Sequence, residues 1–564
     1  MPRISARLPA VAALALLAAC TVTPGVISGP RGPAALPPDT VWLDQNWSDE
    51  DRDLWWFTGQ GSHMIPYDWF LALPGADGKP FRADPTLAGY GFLTTPATVR
   101  NPDALPVGFV KDQRPATDIR GQWLGMTCAA CHTAQLRIKG VEVRVDGGPG
   151  LVDFDGFMNG MVAAMDRAAA SPDTFSRFAA EVLGSNATPE KLADLRTAFG
   201  EHTQFLKTRI AANAIPRPAG HGRVDAFGQI FNQAVVHALG VPGNAHPADA
   251  PVSYPFIWDA PQHDRLQWNG SALNVGAGPL ARNSGEVVGV FGTVNVNQPG
   301  FGMRGYASSL DTQQLDGLER LLTTLWSPEW PSKYAGPLDA TLVARGKTLF
   351  AANCASCHQN IDAKGSVTFD RADPNRRITA QMIDLGKVGT DPHMAKNVLA
   401  CTADTGPLNG RPVAVLPFGP KLKPKDLCVN VTGNVVVGAI LGNNPPASLF
   451  QVLEFLKGSQ ALKAKLMNPQ YKARPLNGIW ATAPYLHNGS VPTLDDLLQP
   501  PAQRPKTFHV GDREFDAGKV GYVTDRGPFV YDTAEPGNSN AGHLYGTKLA
   551  TADKRALLEY LKSL

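Results

Sequence analysis

Apolar residues recur at helical spacing in three stretches of the chain. The spacing of Phe, Leu, Met and Val predicts helices from Phe154 to Ala170 and from Thr188 to Ala212, and a third from Leu310 to Leu325. One segment alternates instead: apolar and charged residues take turns from Val141 to Val145, which predicts a strand in a hairpin with Leu136 to Lys139. The pattern predicts a mostly α protein with a few short strands.

Two amphipathic helices are predicted at the two ends of the last part of the chain. The first runs from Leu338 to Phe350. The second runs from Thr551 to Leu564 with Thr551 as its N-cap, and its apolar face carries Leu557, Leu558 and Leu561. We expect these two helices to pack against each other, with long irregular loops between them in sequence.

The motif Cys-x-x-Cys-His occurs twice in the chain. Its members are Cys128, Cys131 and His132 in the first copy and Cys354, Cys357 and His358 in the second. This motif is the attachment signal of a c-type haem, because the two thiols form thioethers to the haem vinyl groups and the histidine binds the iron. Zinc or redox Cys-x-x-Cys motifs are the alternative, but the histidine directly after each second cysteine fits them less well. We predict two covalently bound haem c groups, with His132 and His358 as iron ligands.

The amino terminus has the pattern of an export signal. Arg3 and Arg7 precede an apolar run from Leu8 to Ala19 that is too short to span a bilayer and ends in small residues. Because Cys20 follows directly, the segment resembles a bacterial lipoprotein signal, in which this cysteine carries the lipid. An ordinary signal peptide cut nearby is the alternative. Either version predicts an exported protein, and the first predicts a periplasmic or outer-membrane lipoprotein.

Proline and glycine mark the predicted segment boundaries. We predict a signal peptide in residues 1–20, a linker in 21–39, an N-terminal haem domain with helical insertions in 40–327 and a C-terminal cytochrome c domain in 338–564. The break between the two domains falls where Pro328, Pro331, Gly336 and Pro337 interrupt the chain. A chain of 564 residues is long enough for two to four domains of ordinary size.

The net charge of the chain narrows the classes of partner. The 52 basic and 50 acidic residues give a net charge of only +2, so no nucleic-acid partner is expected.

Of the seven cysteines, Cys401 and Cys428 lie outside the signal and the haem motifs. They form either a disulfide or two buried free thiols, and an oxidising compartment favours the disulfide, which would stabilise the fold by about 3–4 kcal/mol.

The loop-rich region from Arg217 to Gly292 carries further candidate residues. Four histidines in it are candidates for a distal iron ligand, although a surface or hydrogen-bonded role is commoner for each: His221, His237, His246 and His263. Trp258 and Trp268 lie in the same region. An indole between two redox centres can relay electrons, whereas a packed core position is the usual role of tryptophan.

Several segments carry a resemblance to a known superfamily. The segment Ala483-Pro484-Tyr485-Leu486-His487-Asn488-Gly489-Ser490, followed by Thr493-Leu494, resembles the motif shared by bacterial dihaem cytochrome c peroxidases and their relatives. Four more segments are similar to the rubber oxygenase branch, the latex-cleaving dihaem dioxygenases: Ile65 to Phe70, Leu105 to Asp112, Arg504 to Phe508 and Asn538 to His543. The resemblance extends from about Trp42 to the end of the chain.

The resemblance implies two cytochrome-c-like, mostly helical haem domains with irregular insertions. His543 would be the distal ligand of the second haem, which could then only transfer electrons. The first haem would keep His132 as its only protein ligand and bind dioxygen or peroxide on its open side. Peroxidases of the superfamily usually place a methionine on the electron-transfer haem, and Met394 and Met467 are available for that role. Of the two tryptophans, we favour Trp258 as the residue between the haems.

These expectations converge on an exported dihaem c-type oxidoreductase, with His132 and Trp258 in the catalytic path. A cytochrome c peroxidase proper and a non-catalytic electron-transfer cytochrome are the alternatives. A small-molecule oxidant, dioxygen or peroxide, is the expected partner, together with a redox protein or a hydrophobic organic substrate. Contact with a membrane is expected only through a lipid on Cys20.

Overall fold

The computed structural model describes residues 23–112, 119–300, 305–358, 375–413, 420–443 and 468–564, together with 373, 445–447, 451, 452, 454, 455, 457 and 458. About 40% of the residues that the structure describes are helical. The longer helices of the described residues are Asp49–Phe57, Phe154–Ala169, Pro172–Leu183, Pro189–Ala212, Gly278–Gly289, Thr312–Leu322, Ala340–Asn353, Cys428–Leu441 and Thr551–Lys562. Shorter ones include Tyr67–Ala72, Asp84–Gly89, Ala226–Asn232, Ala355–His358 and His393–Ala400.

The strands are short and form several small sheets. One three-stranded sheet has the order Thr40–Trp42, Val141–Asp146, Thr133–Ile138, and another has the order Ile65–Pro66, Trp123–Met126, Phe109–Lys111. Two-stranded sheets join Arg223–Val224 with Val252–Ser253, Arg265–Leu266 with Ala272–Leu273, Val294–Pro299 with Tyr306–Ser308, Gln381–Asp384 with Gln470–Ala473, Thr402–Asp404 with Lys425–Leu427, Thr507–Val510 with Phe529–Asp532, and Phe515–Asp516 with Gly521–Tyr522. Helices and short strands are both present, but the strands of the described residues are more numerous than the few that the sequence predicted.

The predicted hairpin is confirmed and begins directly after the first haem motif. Strand Thr133–Ile138 pairs antiparallel with Val141–Asp146, with Thr133 opposite Asp146 and Ile138 opposite Val141. Lys139 and Gly140 form the two-residue turn, and both have a positive φ, as the tight turns of such hairpins require. The buried apolar face of the hairpin anchors the strand that follows His132.

The predicted N-terminal helices are also confirmed, with small shifts of their ends. The first spans Phe154–Ala169, and the second spans Pro189–Ala212 with Thr188 as its N-cap. A helix at Pro172–Leu183 lies between them. Aromatic rings from these helices and from Tyr67–Ala72 share one apolar core, in which Phe157, Phe175 and Trp69 are almost fully buried.

The two C-terminal helices, Ala340–Asn353 and Thr551–Lys562, pack against each other as expected. The contact is close at Gly346, where a Cβ atom would lie 2.0 Å from the carbonyl oxygen of Ala556. Phe350 and Tyr560 extend the contact, with ring centroids 5.3 Å apart. The expected N-cap was wrong: Ala550 occupies that position with extended backbone, Thr551 already belongs to the helix, and no side chain caps it.

Cys401 and Cys428 form the predicted disulfide. The bond joins the end of helix His393–Ala400 to the start of helix Cys428–Leu441. In the chain-entropy model, closing a loop of 27 intervals stabilises the fold by about 3–4 kcal/mol. None of the helices in the described ranges has the length and apolar content needed to cross a membrane.

Candidate cofactor sites

The first motif lies between two strands. Trp123–Met126 leads into a short turn at Cys128–Ala130, which Thr127 caps by accepting a hydrogen bond from the backbone N–H of Ala129. The hydroxyl of Thr127 in turn donates to the carbonyl of Trp56, 3.1 Å away. These bonds orient both thiols of the motif before the chain continues into the hairpin.

The second motif continues from a helix. Helix Ala340–Asn353 ends at Cys354, and Ala355–His358 forms one more helical turn. The chain positions from 359 to 372 lie outside the described residues. Cys354 and Cys357 are free thiols, as Cys128 and Cys131 are.

Both motif histidines are held in the same way. The Nδ1 atom of His132 donates to the carbonyl of Pro255, 2.8 Å away, and the Nδ1 atom of His358 donates to the carbonyl of Arg474, 2.7 Å away. Burial lowers the pKa of His132 to about 4 and lowers the pKa of His358 as well. Each imidazole is therefore neutral at pH 7, with its Nε2 atom left as a metal ligand, which is the usual state of a metal-binding histidine.

Each motif opens onto its own cavity. The first cavity is lined by Cys128 and His132 and has about 780 Å³, and the second is lined by Cys354, Cys357 and His358 and has about 1440 Å³, counting the space that opens to solvent. In the second cavity, two thiols, a neutral imidazole and mostly apolar walls fit a covalently attached haem. In the first cavity, Cys128 and the neutral His132 imidazole provide the corresponding groups, and Cys131 lies between them in the same motif without lining the cavity.

His543 lies opposite His358 in the second cavity. The two ring centroids are 6.2 Å apart, and burial lowers the pKa of His543 to about 3. Two metal–nitrogen bonds of about 2.0 Å each would take up most of this separation. The remainder matches the distance from each ring centroid to its coordinating nitrogen atom. The spacing therefore suits two imidazoles that face each other across one metal ion.

Arg504 holds the loop that presents His543. Its guanidinium donates to the carbonyls of Asn540, Gly542 and His543, at 2.5, 2.9 and 3.1 Å. Gly542 must be a glycine: its φ is +75°, and a Cβ atom there would lie 2.2 Å from the backbone of Gly389. The loop is thus fixed from two sides, by the arginine and by close backbone packing.

The other candidates for the distal position of the second haem lie elsewhere. Met394 is buried in an apolar cluster and does not line the second cavity. Met467 lies outside the described residues. His487 lines the cavity but stacks on Tyr471, with ring centroids 4.0 Å apart. The histidines of the loop-rich region line neither haem cavity: His221, His237, His246 and His263.

Comparison with known proteins places the second motif in a cytochrome c segment. A cytochrome c family model matches residues 343–414, which include the second motif. A model described as "RoxA-like, cytochrome c-like" matches residues 470–509, and neither of these two matches covers the first motif. The uncharacterized protein y4iJ of Sinorhizobium fredii is 34% identical over 588 residues, covering 93% of each chain. The chain belongs to the y4iJ family. A second protein of that organism, y4iM, is 26% identical over 53% of this chain and 59% of its own length.

The two family matches show that this member of the y4iJ family contains cytochrome c segments, one of which is similar to RoxA-like cytochromes. Cytochrome c domains bind haem c covalently through the motif cysteines. The chain is accordingly a haem oxidoreductase at the level of its class.

The structure places the two candidate tryptophans differently, and the electron-relay role itself stays a prediction. Trp268 lines both cavities, whereas Trp258 lines neither. Trp258 is fully buried, stacks on Phe256 at 4.6 Å and donates its indole N–H to the carbonyl of Asn477. These contacts turn the Trp258 ring into the core beside the cavities, so Trp268 is the tryptophan that lies between the two sites.

A polar cluster on the wall of the first cavity was missed by the sequence reasoning. Its members are Gln267, Arg282, Glu286 and Glu319. Arg282 pairs with Glu319 at 2.6 Å, and the side-chain amide of Gln267 donates to Glu286 at 3.0 Å. The only sequence signal was the spacing of Arg282 and Glu286, which are one turn apart on helix Gly278–Gly289.

Proposed function

We propose that the protein is an exported dihaem c-type oxidoreductase with two unlike haems. In this proposal the first haem is attached through Cys128 and Cys131, has His132 as its ligand, and binds dioxygen or peroxide. The second haem is attached through Cys354 and Cys357, is held between His358 and His543, and transfers electrons. When bound, the haem supplies the redox chemistry, and the protein supplies the ligands, the cavity and the electron donor's route.

The difference between the two cavities carries this proposal. In the second cavity, an imidazole lies 6.2 Å from the motif histidine, at a spacing suited to a shared iron. In the first cavity, the described lining residues include no second histidine and no methionine. An iron with two strong protein ligands has no vacancy for an oxidant, whereas an iron with one can bind it.

Haem content tests the proposal directly. Intact mass of the purified protein should exceed the mass of the polypeptide by two haems, because each motif has both thiols and a histidine. The double variant Cys354→Ala, Cys357→Ala should lose one haem and keep the other on the first motif. A wild-type protein with one haem or none would contradict the proposal.

The polar wall of the first cavity favours peroxide as the oxidant, and thus membership of the dihaem peroxidase superfamily. Breaking an O–O bond requires a group that moves a proton and a charge that stabilises the leaving oxygen. Glu286 provides a carboxyl group whose pKa is raised by burial, and Arg282 provides a cation next to it. A cavity that held only an apolar organic substrate would have no use for these charges. Cleavage of a hydrophobic compound with dioxygen is the second candidate, favoured by the RoxA-like match at residues 470–509.

We expect Glu286→Gln to reduce peroxide turnover by about 10²- to 10⁴-fold, the usual loss when a positioned acid or base is removed. Haem content and the second haem's spectrum should stay unchanged. Because burial raises the pKa of Glu286, the carboxyl keeps its proton to higher pH than an exposed one, and a step that needs this proton should slow as the pH rises. The rate of peroxide-dependent oxidation of a reduced dye checks both expectations.

Glu142→Gln is the matched control for this variant. Glu142 pairs with Arg137 on the hairpin at 2.7 Å and lines neither haem cavity. Its loss should leave turnover within about twofold of the wild type, since surface ion pairs contribute little. Equal rates for wild type and Glu286→Gln would exclude the proton-transfer role.

We further propose that the protein is exported and anchored through a lipid on Cys20, a residue that lies outside the described ones. Cys20→Ala should then move the protein from the membrane fraction to the soluble fraction, because one or two acyl chains account for such anchoring. Fractionation of cells followed by haem staining measures this. A wild-type protein found entirely in the soluble fraction would contradict the lipid anchor and favour an ordinary signal peptide instead.

A further inference from the structure

The histidines of the two motifs are connected through a single residue, Arg474. The imidazole of His358 donates to the backbone carbonyl of Arg474, 2.7 Å away. The side chain of the same arginine donates from Nη1 to the carbonyl of Phe256, also 2.7 Å away. Phe256 directly follows Pro255, whose carbonyl accepts the hydrogen bond of His132 at 2.8 Å. A continuous path of short hydrogen bonds and main chain therefore joins one imidazole to the other.

Two further contacts fix the side chain of Arg474. Its guanidinium carbon lies 3.4 Å from the centroid of the Phe256 ring, and Nη2 contacts the carbonyl of Trp258 at 3.4 Å. Only 6% of the residue is exposed. The segment from Pro255 to Trp258 is thus held in place by one buried guanidinium group, and a lysine could not reproduce this fork of donors.

Arg474 places a positive charge in the wall that separates the two cavities, because it lines both of them. Lys472 lines both cavities as well, but its burial lowers its pKa well below the ordinary value of a lysine. Asp259 lies near Arg474, but it already pairs with Arg376 and accepts a hydrogen bond from Asn477. A buried positive charge next to an iron favours the reduced state, because the electron added on reduction is attracted to it.

We propose that Arg474 is a positioning residue that couples the two haem sites. Its side chain fixes the acceptor of His132, its carbonyl is the acceptor of His358, and its charge stabilises the reduced state at both sites. The inference rests on the proposed function, in which each of these histidines binds a haem iron. It adds to that function one residue that influences the iron–histidine bond and the reduction potential at both haem sites.

The coupling has different consequences for the two histidines. A hydrogen bond from Nδ1 makes an imidazole a stronger donor to its metal, so the acceptor's position sets the strength of the iron–histidine bond. Loss of the guanidinium releases Phe256 and Pro255 and weakens the hydrogen bond of His132. The acceptor of His358 is main chain and remains, so its hydrogen bond is retained, whereas the loss of charge acts on both sites.

The test uses the holoprotein with Arg474→Met. Resonance Raman spectra of the reduced protein report the iron–histidine stretch of the five-coordinate first haem, and a redox titration gives the potentials of both haems. We expect the stretch to move to lower frequency and the equilibrium constant for reduction of the second haem to fall at least tenfold, which is 59 mV for a one-electron couple. At the first haem the fall should be smaller, because a weaker histidine donor favours the reduced iron and offsets part of the effect of the lost charge. Arg144→Met is the control, since Arg144 is equally buried but lines neither cavity.

Arg474→Lys separates the two effects and serves as the second variant should Arg474→Met attach haem poorly. It keeps the charge but loses the fork, so the potential of the second haem should return towards wild type while the stretch of the first haem stays lowered. Unchanged stretch and potentials in a variant with both haems attached would overturn the inference, as would equal shifts in Arg144→Met. A wild-type protein without two haems would instead overturn the proposed function, so the two failures are distinguishable.

Discussion

Replacing His543 by alanine is expected to raise the fraction of haem that binds carbon monoxide or cyanide from about half to all of it. In the wild type, the 6.2 Å spacing of His358 and His543 suits two ligands of one iron, so only the first haem should accept an added ligand. Without the His543 imidazole, the second iron would gain an open position. Optical titration of the reduced protein with carbon monoxide measures the change, and the low-spin signal of the second haem should disappear with it.

His487→Ala is the matched control for His543→Ala. His487 lines the same cavity, but its ring is stacked on Tyr471 instead of facing His358. The control should therefore leave half of the haem closed to added ligands. A low-spin spectrum that survives in His543→Ala but not in His487→Ala would transfer the ligand role to His487.

Replacing His132 by alanine should abolish turnover with dioxygen or peroxide while the second haem keeps its low-spin spectrum. His132 is the only histidine among the described residues that line the first cavity, so its loss removes the ligand that holds the reactive iron. The second cavity lies on other residues of the chain, apart from the shared wall, and should stay intact. Steady-state rates together with electron paramagnetic resonance of the oxidised protein test both parts.

His509→Ala controls for the loss of a histidine in general. His509 lies in strand Thr507–Val510, donates to the carbonyl of Gly527 and lines neither cavity, so its removal should not change turnover. If His132→Ala kept wild-type activity, the chemistry would belong to the second haem. If it lost both spectra, the first motif would be required for folding, and a His132→Met variant would be the next measurement.

The local sequence was sufficient to predict several helices and the hairpin that follows the first motif. The helix periods placed Phe154–Ala169 and Pro189–Ala212 within a residue of their predicted ends. The hairpin after His132 followed from strict alternation, and the packing of Ala340–Asn353 on Thr551–Lys562 followed from two amphipathic faces. In these cases the periodicity of apolar residues indicates which face of each element is buried.

Only those residues of the candidate site that belong to a recognisable sequence motif were predictable from the sequence. The thiols and the histidine of each motif are adjacent in sequence, and the match to His543 came from the resemblance of its loop to a known branch. The sequence could not distinguish the positions of Trp258 and Trp268, because both lie in one loop-rich region without periodicity. Which ring faces a cavity was decided by Asn477, the residue whose carbonyl accepts the indole N–H of Trp258 from 219 positions away.

The sequence by itself thus determined the attachment chemistry, the class of cofactor and the principal helices, because these depend on short spacings. The tertiary structure decided what surrounds each histidine. The acceptors of His132 and His358 lie 123 and 116 residues away, and Glu286 reaches the first cavity from a separate helix. Such partners are selected by how the elements pack in space, and packing brings together groups whose separation along the chain carries no local signal.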